Sequence, residues 1–313
     1  CFATTAWDDG TGEKLVASIA LPNALGGVSW GIYKYDGATW TMIGLPFNNY
    51  ANSIRVLNDG NGPALYACGN FLTIGNVAQP TSVVKWDGSQ WIPVGLSRPC
   101  TSANPIDVLF FDDGSGLKLY AAVSCNGLPF GTGSAVARME NGDWVTYSTG
   151  IAGNGESLEI FDDGAGPALY VSGVFSGAGG ANVARLSGSS WAIVNGAPNN
   201  WTADLQVFND GSGDALYACG NFGSAGFGAA FGKVVKWDGQ QWSGTGAIFL
   251  TGYVAALAVY DDGQGPALYA SGTFSVMGGV AANGLARYRN GVWSALSGQG
   301  VNGTVYSLAQ YDD

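Results

Sequence analysis

The side chains best suited to chemistry are acids that recur in six glycine turns of the form D-D-G-x-G or N-D-G-x-G. The second acid of each turn is Asp9, Asp59, Asp113, Asp163, Asp210 or Asp262. Carboxylates in glycine loops are calcium ligands when six to eight oxygens converge, often from alternating positions. Here two acids are followed at once by glycine. The same acids equally suit capping of their own turns through backbone N–H groups. A second repeated set favours that structural role. Lys34, Lys85, Arg138, Arg185, Lys236 and Arg287 each stand six residues before a tryptophan, at a position expected to reach the turn acid. Calcium is therefore the one candidate cofactor, and the expected state is none.

Other ionisable groups do not repeat. Counting back five and seven residues from the turn glycines gives Arg55 with Ser53, Asp107, Glu159 with Ser157, and Gln206 with Asp204. Paired carboxylates perform glycoside hydrolysis, so Glu159, Asp204 and Asp107 are the candidate catalytic acids. Their alternative role is to solvate a polar channel or to pair, with Arg55 as the counter-ion. Histidine is absent. That removes Ser-His-Asp hydrolysis and His-ligated zinc or copper. No P-loop or dinucleotide-binding glycine motif opens a helix.

The elements that carry these residues repeat from end to end. The turn glycines Gly10, Gly60, Gly114, Gly164, Gly211 and Gly263 lie 47 to 54 residues apart, and each unit closes on a tryptophan: Trp40, Trp91, Trp144, Trp191, Trp242 or Trp293. A period near fifty with strand-type content specifies a propeller in which each repeat is one blade. In repeat four, strand a covers 157–161, strand b 167–175, strand c 183–186, and strand d carries Trp191. The expected fold is all-β, a propeller of four-stranded antiparallel blades. Six blades are expected, with seven blades or a fragment of a larger propeller as the alternatives. A single domain spans 1–313, with repeats at about 1–44, 45–96, 97–149, 150–196, 197–246 and 247–298, and a terminal strand at 303–313. The strand-d tryptophans are strictly periodic, which marks blade-to-blade packing.

Alternating strand direction puts the a–b and c–d turns on one rim and the b–c and d–a loops on the other. The first rim is stereotyped, whereas every loop of the second differs. Recognition is expected on the irregular rim, since scaffolds carry binding on variable loops. The aromatics there are not required by the repeat. Trp201, Tyr253, Tyr50, Phe227 and Phe130, with Arg55 beneath, are the candidate ligand-binding residues.

Composition limits the function classes. The 313 residues are 47% hydrophobic and only 11% charged, with 51 glycines and a net charge of −11. Twelve basic residues, half of them at one repeat position, cannot build a nucleic-acid face. The most apolar stretch, 248–260, is too short to span a bilayer as a helix. Cys68 and Cys219 share the slot Y-A-C-G-N-F and read as buried small residues. Cys100 and Cys125, expected at one rim of a single blade, are the disulfide candidates. A disulfide suits a secreted or cell-surface protein. Lacking an initiator Met, the sequence reads as processed, or as one module of a larger chain or assembly.

The repeat resembles the kelch-like propellers: strand b ends in glycine, an aromatic-acidic turn follows strand c (Trp86-Asp87-Gly88, Trp237-Asp238-Gly239), and strand d carries tryptophan. It also resembles the D-D-G-x-G-P-A-L-Y…W-D-G-x-x-W repeats of secreted planctomycete-type bacterial proteins. One departure is that Gly69, Gly173, Gly220 and Gly272 stand singly where kelch repeats usually carry two glycines. The resemblance implies architecture and exposure rather than chemistry. The leading expectation is a secreted or surface-exposed, non-enzymatic propeller binding glycan or protein. A polysaccharide-active hydrolase or lyase and a purely structural subunit are the rivals.

Overall fold

A computed structural model describes residues 1–23, 26–99, 103–125, 133–176, 181–225, 232–247, 252–296, 300–301 and 303–311. The protein is all-β, a six-bladed β-propeller built from six four-stranded antiparallel sheets. Blade four shows how the repeat folds. Strand a (Ala152–Asp162) pairs with b (Pro167–Ser176), b with c (Val183–Ser187), and c with d (Ser190–Ile193). The a–b turn is tight because Gly164 and Gly166 take φ of 94° and 98°, a region costly for other residues. Small hairpins at Thr73–Ile74/Val77–Ala78 and Val276–Met277/Val280–Ala281 decorate the b–c loops of blades two and six.

The chain forms two compact units. Blades one to three lie in the unit made of Cys1–Leu128, Val136–Tyr147 and Ala309–Asp313, and blades four to six in that made of Pro129–Ala135 and Ser148–Leu308. In the first unit, apolar layers fill the spaces between blades one and two (Val16, Ile54, Leu65) and between blades two and three (Cys68, Val108, Val123). In the second, Phe161, Leu205 and Leu216 fill the space between blades four and five, and Phe208, Leu257 and Leu268 that between five and six. Fully burying one such side chain stabilises by roughly 1.5–3 kcal/mol, so the blades are held mainly by sheet-on-sheet packing.

Three of the periodic tryptophans hook successive blades together, whereas the buried Trp242 indole N–H has no hydrogen-bond partner among the described residues. The indole N–H of Trp91 donates to the Ile43 carbonyl, that of Trp144 to Val94, and that of Trp293 to Thr245, each at 2.9 Å. Each acceptor closes the preceding blade. Gly95 makes room for one of these hooks: a Cβ there would stand 2.6 Å from Trp144 Cδ1.

Of the terminal strand expected at 303–313, the described residues 303–311 enter no strand. Their sequence pattern matches strand a, but pattern alone does not place them in a sheet. Blade one takes its innermost strand from Ala3–Asp8 instead, paired with Glu13–Pro22.

Candidate functional site

The two rims differ in how their polar groups are used. On the turn rim, the first acid or amide binds its own loop: Asp162 Oδ1 accepts from the Gly164 and Gly166 N–H groups at 2.9 Å. The second acid faces the blade. Tyr170 donates to Asp163 Oδ2 at 2.9 Å, and Arg185 Nε lies 2.9 Å from the same oxygen. The other blades repeat the cation contact, with Lys34–Asp9 at 2.5 Å, Lys85–Asp59 at 2.6 Å, Lys236–Asp210 at 2.9 Å, Arg287–Asp262 at 2.6 Å, and Arg138 bound to Asp113. Blade six adds Arg289 to Asp262. Blade one has Val16 where Tyr66 stands in blade two, and so lacks the phenol.

These contacts set the ionisation of the turn. Lys34 holds Asp9 down to about 2, and Lys85 does the same to Asp59. Burial works against the Asp113 carboxylate, yet Ser115, Tyr120 and Arg138 outweigh it and bring it to about 2. The phenols shift the other way: burial and then the neighbouring acid push Tyr66 and Tyr170 up. An ammonium or guanidinium thus stands beside each of the calcium candidates Asp9, Asp59, Asp113, Asp163, Asp210 and Asp262. Among the described residues, no group of three metal-ligating side chains converges.

The acids of the inner strands are tied between blades. Asp107, buried, accepts from Ser53 at 2.9 Å, from Arg55 Nε at 2.7 Å and from its own neighbour's N–H, while Arg55 Nη2 reaches its other oxygen. Asp204 accepts from Ser157 at 2.9 Å and, across to blade six, from the Leu257 N–H at 2.8 Å. A β-bulge creates this geometry. The a–b register slips between Ala51 and Ser53, Pro105 and Asp107, Gly155 and Ser157, and Thr202 and Asp204. The residue after each slip is the one that ties to the adjoining blade. Glu159 accepts from the Ile160 N–H at 3.0 Å.

The irregular rim holds two aromatic clusters. In the first unit, Tyr50 stacks on Phe2 at 4.1 Å and 9°, with Trp30 packed against both at 5.7 and 5.6 Å. Asn70 donates to the Tyr50 hydroxyl at 2.8 Å. In the second unit, Trp201 and Tyr253 meet at 5.4 Å with an interplanar angle of 75°. Tyr306 and Thr304 stand near the Tyr253 hydroxyl, and burial pushes that phenol up. Trp201 and Tyr253 are partly exposed, and Tyr306 is exposed.

Tyr50, Trp201 and Tyr253 share one repeat position, ten residues before the turn glycine, and the single strand-b glycine fixes it. A Cβ on Gly220 would fall 2.1 Å from the Trp201 carbonyl oxygen, and one on Gly272 2.1 Å from that of Tyr253. The residue after each glycine donates back to that carbonyl: Asn221 to Trp201 at 2.9 Å and Thr273 to Tyr253 at 3.0 Å. Of the expected ligand-binding set, Trp201 and Tyr253 come together, Tyr50 belongs to the other cluster, and Arg55 pairs with Asp107. Phe130 and Phe227 lie outside the described residues, as does the proposed pairing of Cys100 with Cys125. Cys68 and Cys219 are buried free thiols, and burial pushes both up.

Glu156 is the residue that periodicity missed. It is the bulged residue of blade four, at the slot held by Asn52, Ile106, Ala203 and Ala255 elsewhere. The residue retains some exposed surface, but its carboxyl is set deep. Burial raises it to about 7, against the opposing pull of a hydrogen bond with the Trp201 indole. The signal in the sequence was an acid in a slot that is otherwise uncharged.

No family model and no curated protein matches this chain. The arrangement is therefore read from its own geometry. It offers two fixed aromatic faces at an angle, a phenol beside them and an ionisable carboxyl at the indole edge.

Proposed function

We propose that the protein is a kelch-like, non-enzymatic propeller, secreted or surface-exposed, that binds glycan or protein through its irregular rim. The observation that carries this reading is the Trp201–Tyr253 pair. These are partly exposed aromatic rings, on loops where the repeat does not require them, anchored through their backbones by Gly220 and Gly272. Aromatic faces with a few fixed polar groups are what ligand sites use for affinity and orientation. Hydrolysis is the weaker reading, because Asp107 and Asp204 already accept from side chains and N–H groups that hold adjoining blades. Titration of the protein and its Trp201→Ala variant against glycan and peptide arrays tests the proposal. Ligands retained by wild type and lost by the variant support it. An array profile unchanged by the substitution refutes it.

A further inference from the structure

We propose that the Trp201–Tyr253 corner receives an alkylammonium group, such as a lysine side chain, free or methylated, or a quaternary ammonium, with Glu156 as its counter-charge. The inference rests on the binding role of this rim and adds the chemical class of the ligand.

The angle of the rings is the first ground. A flat ligand stacks on one exposed face, whereas two faces 75° apart and 5.4 Å between centroids make a corner that a compact, rounded group can touch on both sides. Cations within about 6 Å of aromatic centroids are attracted by the ring quadrupole, most strongly for tryptophan. Tyr306 and Thr304 stand near the Tyr253 hydroxyl, and the residue as a whole stays partly exposed.

The second ground is the carboxyl. Deep acids elsewhere in the molecule are compensated: Asp107 by Arg55, the turn acids by their own cations, and Asp204 by three donors. Beside Glu156, the Trp201 indole N–H is the group that favours the ionised form. The ionisable groups on the elements around it are Glu159 on its own strand, Tyr170 on strand b of its blade and Asp204 on the adjoining inner strand. Tyr170 is turned to Asp163 and Asp204 to Ser157 and Leu257. On the rim of blade five, Lys233 is held by the Asn221 side-chain oxygen at 2.9 Å. None of these supplies a counter-ion, and burial leaves the carboxyl balanced near neutrality. A cation entering the corner favours the ionised form and removes the penalty of an isolated buried charge. A net charge of −11 draws such a ligand in from a distance.

Isothermal titration calorimetry with the whole chain tests this, using choline, an acetylated trimethyllysine peptide, and 3,3-dimethylbutanol as the uncharged isostere of choline. The cations should bind at least about tenfold more tightly than the isostere, and more tightly at pH 8 than at pH 6. Glu156→Gln should remove most of that pH dependence while the melting transition shows an intact fold. Tyr50→Ala, in the other cluster, should leave binding unchanged. A stronger response to the peptide assigns a protein ligand, and a stronger response to choline a free or headgroup ammonium. Equal affinity for the isostere, or a Glu156→Gln variant that binds as wild type, overturns the inference. If a glycan binds in a Trp201-dependent way and the cations do not, the inference fails while the binding rim stands. If Trp201→Ala alters no interaction at all, the rim reading fails with it.

Discussion

The two aromatic clusters occupy equivalent repeat positions, yet they have opposite characters. Around Tyr50, rings stack nearly parallel at 4.1 Å and cover one another, and an asparagine takes the hydroxyl. Around Trp201, the rings stand nearly perpendicular and a deep carboxyl waits at the indole edge. One cluster satisfies itself. The other leaves aromatic faces and a poorly compensated charge available. Repetition builds the position, and the residue placed there decides whether it holds the fold or meets a ligand.

The largest test of that contrast is Glu156→Gln. A carboxyl raised from 4.5 to about 7 on folding costs stability progressively as pH rises from about 4.5 to 7, and the full cost persists above. At one unit per 1.36 kcal/mol this is roughly 3 kcal/mol. The variant should therefore melt higher than wild type at pH 8 and similarly at pH 4. A wild-type stability that does not fall between pH 4.5 and 7 would show that the carboxyl is not held in this way.

Gly220→Ala comes next. Its Cβ would press on the Trp201 carbonyl at 2.1 Å, so overpacking should cost about 1–3 kcal/mol and displace the indole. Denaturant unfolding measures the first effect and ligand binding the second. Gly69→Ala, whose Cβ would meet the Ala51 Cα at 2.6 Å, should cost similar stability yet leave binding intact. Loss of binding in both variants would erase the distinction between the clusters.

Tyr50→Ala should lose about 1 kcal/mol from its stacked partners and no ligand affinity. The opposite outcome, stability retained and binding lost, would reverse the roles assigned to the two clusters. The smallest effect lies on the turn rim. Lys85→Ala should cost about 1 kcal/mol or less, because the pair with Asp59 is partly exposed. Asp59 is held near 2 in the folded protein, so its stabilisation is present above about pH 4 and fades as pH falls toward 2. Acid titration of the variant beside wild type should show a shallower loss across that window. Identical acid profiles would mean that Lys85 does not set the Asp59 ionisation.

Much of this was legible in the sequence. The period, the turn glycines and the closing tryptophans specify six four-stranded blades, because each is demanded by backbone geometry or inter-blade packing. The cation–acid staples were legible for the same reason: both partners repeat. Glu156 was not. Counting by twos from the turn glycine follows ideal strand alternation, and the bulge between Gly155 and Ser157 breaks that alternation just before the acid is reached. The equivalent bulges in blades three and five explain why Asp107 and Asp204 stood out as isolated acids although each is tied to an adjoining blade. The segment 304–311 shows the reverse case, a strand pattern that enters no strand, since pattern specifies a face and pairing requires a neighbour.

The tryptophan hooks have a temporal consequence. Trp91, Trp144 and Trp293 each find their carbonyl in chain that precedes them, never in chain that follows. A blade emerging from the ribosome therefore has its docking partner already synthesised and folded, and assembly can advance in step with translation without waiting for the end of the chain. The dependence is also one-way. Losing a later blade leaves the earlier hooks fastened, whereas losing an earlier one leaves the next indole N–H with nothing to hold.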